Sequence, residues 1–504
     1  MSSLSTAEDT PGGRDRFVDL VRAGSILVVV AGHWLMAVVS WDGGSVRTAN
    51  LLEIVPALQP ATWVLQVMPL FFVVGGFANA GSWDSVRRRG GCYADFVAHR
   101  IGRLLRPVAP FLLLWVALAA VLQLAGQHGP AVESALLVAV QPLWFVALYA
   151  LVVATTPVML AAHRRAGARV LLALVLVIVA VDALRLGTSA HAVGYLNYAA
   201  VWLLAHQLGF HAEAVGRLPR RVLTWTVLGA IGGLAALTQL GPYPTSMVGL
   251  SGQISNLSPP TLCVAVLVTG QVALLLLVRG AANRWLARPR VWAGVVAVNS
   301  MIMTVFLWHL TALVVVAAAG SALQVPMPAV ASLGWWLLRP VWFAVLAVVL
   351  VPLLAALGRV ERAGLGRRRP VGTPHAAASW AAGLGAAWVV LGMSGLALCG
   401  LAGLWAGREV ALLHLHLTPL VALLDLGLGA ALVQLAARRG QPNRRLTAAG
   451  LSLLVAAVVW MAVPGVTALL PDAARAGALS WLATGLVLLA AARRRGRGTA
   501  ATAG

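Results

Sequence analysis

The sequence predicts an all-α, polytopic integral membrane protein with a core of ten transmembrane helices and about four additional C-terminal transmembrane helices. Three observations lead to this fold class. Hydrophobic residues make up 60% of the 504 residues and charged residues only 10%, against about 45–50% and 25% in soluble domains. The mean hydropathy is +0.87. Apolar runs of membrane-spanning length recur along the whole chain, and arginines collect in alternate connecting segments.

Apolar runs of about 20 residues, separated by charged or Pro/Gly-rich breaks, are typical of transmembrane helices. The chain contains fourteen such runs, and each predicts one span. They cover residues 18–40, 60–82, 104–126, 140–162, 168–187, 194–211, 221–241, 260–278, 291–319, 335–358, 376–406, 411–437, 447–470 and 476–492. No small-residue cleavage site follows the first run, so we expect it to remain in the mature protein.

Arginine accounts for all 37 basic residues, and its distribution predicts the orientation of the spans. With a cytoplasmic N-terminus, 32 arginines fall in cytoplasmic segments, as the usual bias of membrane proteins requires. The five in outer segments are Arg47, Arg185, Arg339, Arg408 and Arg475. We therefore expect a multi-pass protein of the cytoplasmic (inner) membrane with both termini in the cytoplasm. The net charge of +22 reflects this orientation and argues against nucleic acid as a partner.

A basic linker, GRVERAGLGRRRPVGTPH at residues 358–375, divides the chain. Five segments are expected. They are a cytoplasmic tail (1–17), a ten-span domain (18–358), the basic cytoplasmic linker (359–375), a four-span C-terminal unit (376–492) and a basic cytoplasmic tail (493–504). The four C-terminal spans contain few polar residues beyond Asp425, so we expect the chemistry to lie in the ten-span domain.

The first span carries three ionisable side chains, Asp19, Arg22 and His33. Arg22 and His33 are about 20° from three full turns apart and about 16 Å apart along a helix, so they share one face. Asp19 shares that face and could pair with Arg22. Ionisable groups inside a membrane predict a functional site. In the structural alternative, Arg22 reaches lipid phosphate, Asp19 neutralises it and His33 makes an interhelical hydrogen bond.

Two further features fall within the ten-span domain. Arg100 and Arg103, at the cytoplasmic start of the third span, have a spacing suited to bidentate phosphate binding, with membrane orientation as the alternative. His309 lies in the middle of the ninth span, where a buried histidine is either functional or satisfied by an interhelical hydrogen bond. The histidines and the three cysteines show no metal or disulfide spacing, and we expect no metal site.

Five short motifs occur in order along the ten-span domain. They are Asp19, Arg22 and His33 in the first span, FFVVGGF (71–77) in the second, Arg100, Arg103, Leu104 and Pro107 at the third, Leu143, Trp144 and Phe145 in the fourth, and Phe306 to His309 in the ninth. In order and depth they resemble the acyltransferase 3 family, integral-membrane enzymes that acylate cell-surface glycans, lipids and exported small molecules. The chain departs from that family at Gly75, where Ser is usual, at Phe306, where Tyr is usual, and in residues 376–492, which have no counterpart in the ten-span core.

The resemblance implies a membrane-bound O-acyltransferase of the cell envelope. Its donor would be cytoplasmic acyl-CoA, acetyl-CoA being the expectation, and it would hold no permanent cofactor. The acceptor would be a hydroxyl of a glycan, lipid or exported small molecule. Arg22, Arg100 and Arg103 would bind the donor, with Asp19 orienting Arg22. His33 would act as general base, or alternatively form a transient acyl-histidine. His309 would line the acceptor side, and Trp308 and Trp144 are also expected to line the substrate site.

Two other classes of protein stay open from the sequence. A fourteen-span transporter or lipid flippase would use Asp19, Arg22, His33 and Asp425 as coupling groups. Transporters often contain internal repeats, whereas this chain has no second copy of the Arg-to-His stretch and divides into ten plus four spans. A non-catalytic membrane scaffold would leave the intramembrane charges without a role.

Overall fold

The computed structural model describes residues 15–42, 45–188, 190–252, 254–362, 376–403, 408–410, 415–437 and 484. Within these residues, eleven helical segments are long and apolar enough to cross a membrane. The chain is therefore a multi-pass membrane protein of the all-α class, as the sequence predicted. The predicted spans at 447–470 and 476–492 and the C-terminal tail lie outside the described residues, apart from Thr484.

The described elements are mainly helices joined by short connections. In chain order the helices are α1 (Arg16–Met36), α2 (Leu51–Ile54), α3 (Thr62–Leu65), α4 (Met68–Arg88), α5 (Tyr93–Leu124), α6 (Pro130–Val140), α7 (Leu143–Ala166), α8 (Arg169–Gly187), α9 (Leu196–Phe210), α10 (Ala212–Gly216), α11 (Arg220–Gln239), α12 (Leu262–Leu286), α13 (Pro289–Ser300), α14 (Ile302–Ala322), α15 (Leu333–Leu337), α16 (Arg339–Arg362), α17 (Ala376–Cys399) and α18 (Pro419–Ala436). The short strands pair antiparallel, β1 (Ala37–Asp42) with β2 (Ser45–Asn50) and β3 (Arg408–Val410) with β4 (Leu415–Leu417). Turns of 3₁₀ helix cover Pro56–Ala61 and His191–Tyr195.

The chain forms two compact units. The first contains residues 1–80 and 158–363, and the second contains residues 81–157 and 364–504. Residues 81–157 group with the C-terminal helices, and the five segments expected along the chain stay a prediction. Hydropathy shows where a helix begins and ends, but it does not show which helix becomes its packing partner.

In the first unit, α1 packs against α12, α13 and α14. Its N-terminus is capped by Asp15, whose Oδ1 accepts a hydrogen bond from the Phe17 amide at 3.0 Å. Asp15 Oδ2 also pairs with Arg279 Nη2 of α12 at 2.8 Å. An N-cap carboxylate satisfies amides that have no intrahelical partner. Hence α1 begins at Arg16. Helices α12 and α16 end at the same end of the first unit, and we call this end the arginine-rich end.

The predicted first span is too long at its other end. It was expected to continue to residue 40, but α1 ends at Met36 and Ala37 begins strand β1. β-Branched residues such as Val38 and Val39 favour extended backbone. Val38 packs in a buried cluster with Leu51 and Trp335. The hairpin β1–β2 is therefore held against α15 at the end of the unit opposite the arginine-rich end.

The predicted ninth span, residues 291–319, is two helices and not one. α13 ends at Ser300 and α14 starts at Ile302. Near the break, Asn299 Nδ2 donates to the Val295 carbonyl at 3.0 Å, and such side-chain bonds compete with the helical backbone pattern. Glu361 of α16 then accepts from the Thr304 amide at 2.9 Å, which satisfies the new helix start. α14, which carries His309, is therefore anchored at the arginine-rich end.

A buried carboxylate fixes the connection between α11 and α12. Asp182 of α8 is 2% exposed. It accepts hydrogen bonds from Asn197 Nδ2 at 2.8 Å, the Tyr243 hydroxyl at 3.0 Å and the Leu262 amide at 2.8 Å. Burial, together with the neighbouring Asp182, raises the pKa of Tyr243, so its hydroxyl keeps the proton that it donates. Because three hydrogen-bond donors satisfy its carboxylate, Asp182 serves as a structural anchor.

Helices α4 and α9 cross at two glycines. A Cβ atom on Gly76 would overlap the carbonyl oxygen of His206, and one on Gly209 would overlap that of Val73. Small residues at a helix crossing let the two backbones approach closely, which drives helix association in membranes. One turn from Gly76, Phe72 is fully buried and stacks on Trp202 with ring centroids 4.5 Å apart. The FFVVGGF motif thus serves packing of α4 against α9.

Replacement of Gly76 by alanine should destabilise the protein, because the new methyl group overlaps backbone that cannot move aside. Overpacking costs about 1–3 kcal/mol. Gly81→Ala, further along α4, is the matched control, since its Cβ meets no atom within 4 Å and alanine is the better helix former. Thermal unfolding of both variants in detergent measures the difference. Equal unfolding midpoints for the two variants would show that the crossing is not tight.

In the second unit, α5 packs against α6, α17 and α18, and α17 packs along α18. A Cβ on Gly392 would lie 2.6 Å from the Ala422 carbonyl oxygen, so α17 and α18 also touch through glycine. The third span was expected to begin near residue 104, with Pro107 opening the helix. α5 begins earlier, at Tyr93, because Asp95 Oδ2 accepts from the Cys92 amide at 2.9 Å and caps the helix.

Candidate active site

Helices α1 and α14 bring together the two histidines that the sequence singled out. His33 Nδ1 lies 2.7 Å from His309 Nε2, a hydrogen bond between residues 276 positions apart. The two rings are 15° from parallel, with centroids 5.0 Å apart. His309 is fully buried and His33 is half-buried. The sequence expected His309 on the acceptor side, and in the structure it is the direct partner of His33.

The hydrogen bonds of this pair determine which nitrogens carry protons. His309 Nδ1 lies 2.6 Å from the backbone carbonyl oxygen of Phe306, which can only accept, so His309 Nδ1 is the donor. A neutral imidazole has one N–H, and His309 Nε2 is therefore an acceptor. His33 Nδ1 must then donate to it. It follows that His33 Nε2 holds the unshared electron pair, the arrangement required of a proton acceptor.

Tryptophans hold the histidine pair on the side away from the arginine-rich end. Trp34 Nε1 donates to the His309 carbonyl oxygen at 3.0 Å, and Trp342 Nε1 of α16 donates to the Trp34 carbonyl at 3.2 Å. Trp308 is 1% exposed within α14. Buried indole N–H groups normally find such partners, and these bonds lock α1, α14 and α16 together around the site.

Asp19 and Arg22 lie on α1 towards the arginine-rich end. Asp19 is buried, and its carbonyl oxygen accepts from Asn299 Nδ2 at 2.8 Å. Arg22 is half-buried. The pairing of Asp19 with Arg22 stays a prediction. Through its backbone, Asp19 contributes to fixing α13 beside α1.

Arg100 and Arg103 belong to the second unit, on α5. Arg100 is half-buried and its Nη2 donates to the Tyr149 hydroxyl at 3.4 Å, whereas Arg103 is exposed. Tyr149 also lies against Phe145, with ring centroids 5.9 Å apart, and Phe145 lies edge-to-face on Trp144 at 6.2 Å. Within this unit, the third-span and fourth-span motifs are therefore neighbours, joined through Tyr149.

Sequence reasoning missed several residues that position the site. Glu361, Asn299 and Trp342 act through contacts with helices that are distant in sequence, and only the acidic character of Glu361 in a basic segment was a visible signal. Within the described part of the chain, no group of three or more His, Cys, Asp or Glu side chains could hold a metal ion.

Comparison with known proteins identifies the class of this protein. A family model described as an acyltransferase domain matches residues 15–359, more than half of the chain. The protein is a membrane acyltransferase. It belongs to the acyltransferase 3 family, as the five motifs predicted. No curated protein and no solved structure gives a match.

Proposed function

We propose that this acyltransferase moves an acyl group, acetyl being the first expectation, from acyl-CoA to a hydroxyl group of a glycan, lipid or exported small molecule, with His33 as general base. One observation carries the proposal. The hydrogen bonds from His33 to His309 and from His309 to Phe306 leave the electron pair of His33 Nε2 available, on the helix that also carries Arg22. A neutral imidazole held in one tautomer is suited to remove a hydroxyl proton.

In the proposed reaction, His33 alone carries the proton from the acceptor hydroxyl to the CoA sulfur. The acceptor oxygen attacks the thioester carbonyl carbon while its proton passes to His33 Nε2. The resulting cation is stabilised through His33 Nδ1–H and His309 Nε2, which are 2.7 Å apart. As the tetrahedral intermediate collapses, the carbon–sulfur bond breaks, and the proton on Nε2 passes to the CoA sulfur. The products are the acylated oxygen and CoA thiol, and His33 returns to its starting state.

The donor would bind through arginines. Arg22 supports this role because it lies on the same helix as His33 and is half-buried. Arg100 and Arg103 support it because they are one turn apart on α5, and Arg103 is exposed. Guanidinium groups bind phosphate oxygens bidentately, as CoA requires. The excess of arginine in alternate connecting segments supports a position of these residues on the cytoplasmic side of the inner membrane, with both termini in the cytoplasm.

Release of CoA thiol by detergent-purified protein tests the proposed function, with labelled acetyl-CoA as donor and a crude cell-envelope fraction as acceptor. We expect label to pass to envelope material. The double variant Arg100→Ala with Arg103→Ala should raise the KM for acetyl-CoA by about 10-fold or more, because two charge-assisted contacts are lost. Arg220→Ala with Arg221→Ala, which removes two exposed arginines at the start of α11, is the matched control.

Each result has a defined meaning. If both double variants raise the KM equally, the general positive charge of the surface and not a specific site attracts the donor. If wild type transfers no acyl group from acetyl-CoA or longer acyl-CoA donors, acyl-CoA is not the donor. Substrate flux in vesicles then becomes the relevant measurement.

A further inference from the structure

Arg339 is a buried cation at the end of the first unit opposite the arginine-rich end. It is the first residue of α16 and is 7% exposed. Its neighbours Leu337, Leu338 and Val341 are exposed apolar side chains, as expected for the lipid-facing side of a membrane helix. Arg339 thus points into the protein, in contrast to an arginine that reaches outward to lipid headgroups. Membrane orientation does not account for it, since it is one of the few arginines on the arginine-poor side.

Two aromatic rings lie close to the Arg339 guanidinium. Its carbon lies 3.9 Å from the Trp335 ring centroid and 5.2 Å from that of Trp342. Its Nε–H donates to the Trp335 carbonyl oxygen at 3.3 Å. Among the described residues, no carboxylate lies within ion-pair distance, and the terminal NH₂ groups have no acceptor. A buried cation without an anionic partner is costly, and in a membrane protein such a residue indicates a functional site.

A short chain of contacts connects Arg339 to the histidine pair. Trp342, whose ring centroid is 5.2 Å from the guanidinium carbon, donates to the Trp34 carbonyl. Trp34 follows His33 in the sequence and itself donates to the His309 carbonyl. Arg339 therefore lies on the side of the histidines opposite Arg22. In the proposed reaction the donor approaches from the arginine-rich end, so this side is where the acceptor approaches.

We propose that Arg339 binds an oxyanion, a phosphate or a carboxylate, carried by the acyl acceptor; this rests on the proposed function. Two tryptophan rings beside the guanidinium restrict its movement, and its unused N–H groups match the two oxygens of such an anion. The bound anion supplies the missing counter-charge and holds the acceptor with a hydroxyl group towards His33. A wholly neutral acceptor would leave the guanidinium without a function. A phosphate of a bilayer lipid offers the same chemistry, and the test below distinguishes it from an anion of the acceptor.

The test is thermal unfolding in maltoside micelles, which contain no anion, for wild type, Arg339→Met and Arg339→Lys. The probes are glucose 6-phosphate, glucuronate and uncharged glucose. A second pair of probes, anionic phosphatidic acid and uncharged diacylglycerol, tests whether Arg339 binds a lipid phosphate. We expect at least one anionic sugar to raise the unfolding temperature of wild type, whereas glucose should leave it unchanged. Arg339→Met should bind that sugar on the order of 10²-fold more weakly. Arg339→Lys should have an intermediate affinity, because lysine keeps the charge but lacks the paired N–H groups of the guanidinium.

Arg339→Met also separates binding from a structural role. If the guanidinium serves a ligand, methionine in the same aromatic setting should leave the probe-free unfolding temperature unchanged or raise it, because no unpaired charge is buried. If methionine lowers that temperature and no anion shifts wild type, Arg339 is a structural link and the proposal is overturned. A shift with phosphatidic acid but with neither sugar identifies a lipid site and overturns the acceptor assignment. Anion binding without any acyl-CoA turnover would instead contradict the proposed function alone.

Discussion

Replacement of His33 by alanine should lower the kcat of acyl transfer by about 10²–10⁴-fold and leave the KM for acyl-CoA nearly unchanged. In the proposed mechanism, the imidazole acts in the transition state, when the hydroxyl proton is removed, and contributes little to binding of the donor. The rate of wild type should also fall at acid pH, because a protonated imidazole has no electron pair to accept the proton. Initial rates of CoA release across acyl-CoA concentrations measure both parameters.

His128→Ala is the matched control for this substitution, since it removes an exposed histidine. It should retain wild-type kcat. Added imidazole should restore part of the activity of His33→Ala if His33 is a base. A label from acetyl-CoA that attaches to wild type without acceptor, and is absent from His33→Ala, would instead identify an acyl-histidine. Unchanged kcat in a folded His33→Ala protein would remove His33 from the mechanism.

Replacement of His309 by phenylalanine should lower kcat by up to about 10²-fold, with little effect on KM, because catalysis depends on orientation at this scale. Phenylalanine keeps a ring against His33 but offers no acceptor to His33 Nδ1–H, so the imidazole can rotate or change tautomer. His309→Gln restores an acceptor oxygen and should recover a substantial part of kcat. The bond from Trp34 is preserved in both variants, because it uses the backbone carbonyl of residue 309.

The comparison of glutamine with phenylalanine distinguishes positioning from packing. A positioning role predicts that glutamine is the more active variant at equal thermal stability. If the two variants lose kcat equally, or if only KM changes, His309 contributes to packing or acceptor contact and does not orient His33. Thermal unfolding of each purified variant excludes loss of folded protein as the cause.

The histidine pair gives a physical reason for ionisable groups inside this membrane protein. A hydrogen bond inside a medium of low polarity is electrostatically stronger than one in water. In the proposed mechanism, the His309 Nε2 acceptor therefore offsets part of the cost of forming a cation on His33 away from water. The bonds from Trp34 and Trp342 are also buried, so the geometry is held before any substrate binds.

Much of the fold follows from the sequence alone, because lipid imposes a simple requirement. Backbone groups inside a bilayer must be paired within each segment, so an apolar run of sufficient length becomes a helix. Arginine clusters then predict which ends lie together on one side. The same reasoning selected Asp19, Arg22 and His33, because an ionisable residue in a span stands out against the apolar background. The order of five motifs was enough to indicate the family.

Contacts between distant segments were decided only by the tertiary structure. The sequence placed His33 and His309 at mid-membrane depth, but it did not show that they form a pair or which nitrogen carries each proton. It did not predict the helix break after Ser300, where Glu361 of another helix accepts from the Thr304 amide, nor the burial of Arg339 beside two tryptophans. Local composition determines where helices form, whereas the site depends on which helix faces meet. That choice is made by packing of side chains from helices far apart in the chain.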